Sequence, residues 1–107
     1  MAATIAWLEC KVSAGQFSEE FAVSACDHQG HAFSLFVNQA YVEFDRQAVA
    51  HGIDSDGRLK VVVLKEQQDL VLVKLPARTF ENGSMVTVIR TQLDYSQSPS
   101  QISGPTA

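Results

Sequence analysis

The chain is short of the residues that usually announce a chemistry. It has two cysteines, three prolines and one tryptophan. No G-x-S-x-G is present, and no Gly-rich phosphate loop follows a strand-like run. No apolar run approaches the ~20 residues that a membrane helix needs, so no membrane role is expected. No basic n-region, long apolar h-region or cleavage site opens the chain, which points to a reduced, cytoplasmic setting. Cys10 and Cys26 then read as small core residues, and a Cys10–Cys26 disulfide is expected only in an exported protein. Cations are scarce as well: 8 Lys and Arg stand against 12 Asp and Glu, for a net charge of −4 and a pI near 5.2. An acidic chain is repelled by phosphate backbones and anionic lipid, so nucleic acid is not an expected partner.

What is there is an ordinary globular mixture. Of 107 residues, 46% are hydrophobic and 19% charged, enough to bury a core without metal or disulfide staples. The charge is uneven. Residues 1–57 carry two cations and eight acids; residues 58–107 carry six cations and four acids. Salt bridging between the halves of one monomer is the plain reading. The sharper one is two surfaces of opposite sign that meet between subunits.

A period of two dominates the chain. Thr4 to Val12 puts Ala6, Leu8, Cys10 and Val12 on one face, with Ile5, Trp7, Glu9 and Lys11 on the other. A turn is expected at Ser13-Ala14-Gly15. A second strand is expected from about Gln16 to Ala25, with Phe17, Phe21, Val23 and Ala25 aligned. A third runs from His31 to Val37. Residues 38–44 read as a short irregular or extended piece. Arg46 to His51 reads as a helix, capped by Asp45 and ended by Gly52. Asp54-Ser55-Asp56-Gly57 reads as a loop. It does not complete an EF-hand frame, because Gly52 and Val63 would fall at ligand positions.

Further strands are expected at about Arg58 to Lys65, Asp69 to Leu75 and Ser84 to Arg90, with a turn at Glu81-Asn82-Gly83. These patterns predict one β domain over residues 1–95 and a disordered tail over 96–107. The expected fold is mainly β: a small antiparallel barrel or two-layer sandwich of six or seven strands with one short helix. Residues 23–43 and 61–81 also align at an offset of 38, so that Phe33, Leu35 and Val37 recur as Val71, Val73 and Leu75. Such a repeat implies two similar hairpin units.

Residues 26–31, CDHQGH, are the densest cluster of reactive side chains. Thiolate and imidazole are ligands that zinc prefers, and Cys10 and His51 would complete a set of four. Parity argues the other way. Val23 and Ala25 belong with Phe33 and Leu35, a register that pairs Ala25 with His31 and turns Cys26 to the opposite face. The cluster therefore reads as a turn, with Gly30 in the left-handed conformation, and no metal or cofactor is expected.

Two other features stand out. Trp7 shares a face with Glu9 and Lys11, where a large ring lines a groove or hides under a second layer. With Tyr41 it forms the candidate ligand-binding pair. The hairpin 58–75 is apolar on both faces. Leu59, Val61, Val63, Val71, Val73 and Leu75 take one side, and Val62, Leu64, Leu70 and Leu72 the other. A second apolar face needs a helix, a second sheet layer or another subunit over it. The leading expectation is a non-catalytic binding or assembly module that self-associates through Val62, Leu64, Leu70 and Leu72. A small-ligand-binding barrel comes second, with a small molecule or another protein as its partner. A hydrolase-like or metal-dependent enzyme built on His28, His31 or His51 comes third.

Overall fold

The computed structural model describes residues 4–17, 19–81 and 83–95. The alternating runs form β1 (Thr4–Ala14), β2 (Glu20–Cys26), β3 (Ala32–Asn38), β4 (Val42–Phe44), β5 (Ser55–Gln67), β6 (Leu70–Lys74), β7 (Met85–Ile89) and β8 (Leu93–Asp94). All pairs are antiparallel, in the order β3-β2-β1-β5-β6-β7, with β4 added to β5 and β8 to β1. The sheet curls into a half-barrel with one helix, α1 (Arg46–Ala50). The fold is mainly β, as the periodicity predicts, with eight strands in place of the six or seven expected. Short pieces such as β4 and β8 are too brief to show a period. The expected tail at 96–107, and Asn82 of the expected turn, lie outside the described residues.

The core follows the alternation. Leu8 and Val12 of β1, Leu35 of β3, Leu59 and Val61 of β5, and Val71 and Val73 of β6 are all fully shut off from solvent on the inner face. The inward positions of the two aligned halves coincide: Phe33, Leu35, Val37, Val71, Val73 and Leu75 are all buried. Their turns differ, however. Five residues, Asp27 to His31, join β2 to β3, whereas Gln68 and Asp69 alone join β5 to β6, with Gln68 at φ +58°. The repeat is one of inward parity, not of hairpin geometry.

Strand β1 has two partners on one edge. β5 occupies the other edge from Thr4 to Val12. On the shared edge β8 pairs at Trp7 and Leu8, and β2 pairs from Lys11 to Ala14. The sheet forks between them, at Glu9 and Cys10. The half-barrel's ends are then drawn together by single hydrogen bonds. His28 N donates to Thr87 O of β7 (2.9 Å), and Phe80 N donates to Ser34 O of β3 (2.9 Å). Ser34 N donates in turn to Glu81 Oε1 at 2.8 Å.

Helix α1 starts where capping chemistry places it. Asp45 Oδ1 accepts from Gln47 N (3.0 Å) and Ala48 N (3.2 Å), satisfying first-turn donors. Buried Ser55 accepts from Asp45 N and donates to Asp56 O, tying the cap to β5. The helix buries Val49 beside the end of β1 and the start of β5. Among the described residues no helix is long and apolar enough to cross a membrane.

Several expected boundaries move. β1 continues through Ser13 and Ala14, and β5 begins at Ser55, because the long β1 pairs Val12 with Ser55 and so draws the expected loop into the ladder. β2 begins at Glu20 rather than Gln16. The chain turns first: Gly15 N donates to Glu20 O, and Glu19 takes φ +77°. Phe17, expected in the core row, is 72% exposed.

Candidate functional site

The outer face of the β5–β7 sheet gathers the second apolar set of the hairpin. Cross-strand register makes three rows. Ile5, Val62, Lys74 and Met85 form the first, Lys65, Leu72 and Thr87 the second, and Gln67, Leu70 and Ile89 the third. A bulge between Val63 and Lys65 leaves Leu64 as the extra residue beside them. Leu64 and Leu70 are 45% and 40% exposed; Val62 and Leu72 are half-buried by their neighbours. The structure thus brings all four expected interface residues onto one surface. Three lysines are interleaved with them: Lys60, Lys65 and Lys74.

Helix α1 does not cover this surface. It packs at the far end of β5, where Ser55 meets Asp45. Among the described residues, nothing lies over Leu64 or Leu70.

Trp7 and Tyr41 are not brought together. Trp7 is half-buried on the outer face, and the Arg58 guanidinium lies 5.5 Å from its ring centroid. Arg58 also donates to Glu43 (2.7 Å) and Asp94 (2.6 Å), so one cation links β4, β5 and β8 over the ring. Glu43 first, then the charges around it, raise the Arg58 pKa further above its ordinary value. The wet side of Trp7 is therefore already partnered by cation–π contact. A small cleft of about 240 Å³ adjoins it, and Tyr41, on the 3-10 turn Gln39–Tyr41 before β4, does not line it.

Residues 26–31 form the turn that parity predicts, although the pairing is shifted. Ala25 pairs with Phe33 and Cys26 with Ala32, two residues away from the expected register. An even shift preserves the faces. Asp27 Oδ1 accepts from Gln29 N and His31 N, both at 2.9 Å, and Gly30 takes φ +84°. Those bonds, that from His31 N foremost, hold the Asp27 carboxyl below its ordinary pKa. The histidines are dispersed. His28 meets Thr87 O, His31 lies beside Asp27, and His51 Nδ1 meets Gln47 O at the end of α1. Among the described residues no three His, Cys, Asp or Glu side chains gather in a way that would hold a metal. Cys26 is exposed rather than core, because the last rung of the hairpin turns it outward.

The fork in β1 opens a cleft that sequence reasoning missed. It measures about 570 Å³ and is lined by Cys10, Lys11, Cys26, Asp56, Gly57 and Gln92 among others. Gln92 Nε2 donates to Cys26 O at 2.9 Å, and Lys11 pairs with Asp56. Burial, with help from Asp56, pushes the Cys10 thiol up to about 12, so it stays protonated and a poor nucleophile at neutral pH. None of the three histidines lines this cleft. The only sequence signal for it was the pair of cysteines on neighbouring strands.

Comparison with family models, curated proteins and solved structures found no match to this chain. Its own surfaces must carry the functional argument. The fork cleft has no histidine beside its thiols, only the carboxylates of Glu9 and Asp56, whereas the outer face of β5–β7 combines apolar side chains with lysines that form no ion pair among the described residues.

Proposed function

We propose that this chain is a non-catalytic assembly module that associates with further copies of itself through the outer face of β5–β7. One observation carries the reading: Val62, Leu64, Leu70 and Leu72 share a surface with Met85 and Ile89, and no described element covers it. Burying a whole leucine contributes about 1.5–3 kcal/mol. Leu64 and Leu70, at 45% and 40% exposure, thus each have roughly 1 kcal/mol still to gain at an interface. A rigid sheet also loses little conformational entropy on docking. A reduced, cytoplasmic setting suits this reading, since Cys10 and Cys26 are both unbridged.

Sedimentation velocity over a range of concentrations tests it. The native chain sediments as an oligomer. The Val62→Lys/Leu72→Lys variant becomes monomeric while keeping its β-sheet circular dichroism. A native chain that stays monomeric at its highest attainable concentration overturns the proposal.

The fork cleft favours a second reading, small-molecule binding, over the Trp7 and Tyr41 pair. Its volume of about 570 Å³ lies within the range of ligand pockets. Native mass spectrometry of the purified chain checks this reading. A co-purified organic mass that Gln92→Ala releases supports it, and a bare polypeptide mass counts against it.

A further inference from the structure

The five ion pairs among the described residues, His31–Asp27 being one only when the imidazole is protonated, leave the charge asymmetry of the chain unresolved. Lys11–Asp56 and His31–Asp27 lie within the first half, and Arg58–Asp94 and Arg90–Glu66 within the second. Arg58–Glu43 alone crosses between them. Lys60, Lys65 and Lys74 on the outer face of β5–β6 form no ion pair among the described residues. Glu19 forms none either, and Glu20 holds only the backbone N–H of Gln16. No Lys or Arg stands between Lys11 and Arg46 in the sequence, so β2 and β3 carry no cation, and Arg46 of α1, which shares a cleft with Phe17, Glu19 and Glu20, forms no ion pair with either glutamate among the described residues.

That acidic end is also aromatic. A groove of about 300 Å³ beside β3 is lined by Phe17, Glu19, Glu20 and Phe36 among others. Phe80 packs edge-on against Phe36, with ring centroids 5.2 Å apart. Phe17 and Phe80 are 72% and 65% exposed, the two most exposed large apolar side chains described. The hairpin surface is the converse: branched aliphatic side chains interleaved with lysines. The hairpin surface belongs to β5–β7 and the groove to the β2–β3 side, two separate patches of one curled sheet.

Resting on the self-association reading, we infer that the contact is heterologous. The outer face of β5–β7 in one copy seats on the groove of Phe17 and Phe36 in the next, and on Phe80 beside it, with Lys65 and Lys74 facing Glu19 and Glu20. A second copy is favoured over an anionic membrane because the chain is net acidic and itself carries the complementary groove. A head-to-tail contact does not close on itself in a pair. It propagates into a ring or an open filament.

Charge reversal tests this. Glu19→Lys/Glu20→Lys and Lys65→Glu/Lys74→Glu are each expected to weaken association by at least about tenfold, since like charges then face each other. Mixed in equal amounts, the two variants restore assembly, because each supplies the complement the other lacks. Phe17→Ser, at a side chain the fold does not bury, weakens assembly without lowering the melting temperature. Added salt weakens the native assembly, as facing charges at a rim require. If the groove variants assemble like the native chain while the hairpin variant does not, the contact is isologous and the inference fails with the assembly reading intact. If the native chain is monomeric throughout, the assembly reading itself fails. If the chain stays monomeric but sediments with anionic vesicles, the hairpin belongs to a lipid surface and the inference is overturned.

Discussion

Gly57→Ala is expected to destabilise the fold although alanine is the better strand residue. Gly57 sits on β5 between Cys10 of β1 and Phe44 of β4. A Cβ there would lie 2.6 Å from Glu43 O, 2.8 Å from Val12 Cγ2 and 3.2 Å from Phe44 Cβ. Comfortable carbon contacts lie at about 3.5–4.0 Å. The nearest atom is backbone, so no rotamer change relieves it. β4 must move, and with it the ladder that holds Glu43 against Arg58. Such overpacking costs about 1–3 kcal/mol. Removing a glycine from a strand returns roughly 0.5–1 kcal/mol. The difference spans about 0–2.5 kcal/mol, and because the closest atom is backbone at 2.6 Å the loss is expected in its upper part, about 1–2 kcal/mol, which for a domain of this size lowers the melting temperature by at least about 4 °C. Gly83→Ala is the control. Nothing lies within 4 Å of its Cβ position, so it should be neutral or gain up to about 1 kcal/mol. Thermal melts of both variants by circular dichroism decide the matter. A Gly57→Ala protein as stable as the native one would mean that β1, β4 and β5 do not converge at this point.

Leu59→Ala should cost about 2–5 kcal/mol, because Leu59 is wholly buried. Leu64→Ala should cost the monomer less than about 1 kcal/mol, and urea titration of the two separates core from outer face. Gln68→Gly should be neutral to stabilising by up to about 1 kcal/mol, since relief of a left-handed non-glycine residue at φ +58° outweighs the added chain entropy; a clear fall in melting temperature would contradict the two-residue turn. The depressed Asp27 carboxyl contributes stability that is present above its ordinary value of 3.8 and is lost as pH falls through its lower folded value. Asp27→Asn should therefore flatten the loss of stability on acidification, and an acid unfolding curve unchanged in steepness would deny the carboxylate its place in the turn.

Much of the sheet is legible in the sequence, for a local reason. Whether Val61 or Val62 faces inward depends only on alternation along one strand, and Leu59, Val61, Val71 and Val73 all went where parity sends them. The helix is legible because Asp45 and Gly52 are punctuation with their own chemistry. What escapes is whatever depends on a distant strand. Phe17 fits the parity of Phe21, and only the Gly15–Glu20 bond reveals that the chain turns before β2 begins. A two-residue change of register at CDHQGH leaves every face unchanged, so no pattern of faces can detect it. The fork at Glu9 and Cys10 exists because β1 outruns both β8 and β2, and the lengths of those pairings are set by closure of the half-barrel.

The candidate surface follows from how few covering elements the fold has. A curled sheet has a concave side that its own side chains fill and a convex side that must be polar or covered. On β1 and β4 the convex side is managed by charge: Arg58, Glu43 and Asp94 close over Trp7. On β5, β6 and β7 it is not. The one α-helix among the described residues is five residues long and is spent burying Val49 at one end of the core. The ends of the sheet are held by the CDHQGH turn on β7 and by Phe80 on β3, which leaves no described segment free to cross the hairpin. Leu64 and Leu70 therefore stay exposed by construction rather than by accident of one side chain. On the proposed assembly reading, the lysines among them would supply the charges that discriminate between partners. A surface that is apolar enough to dock and charged enough to choose is what an assembly module needs.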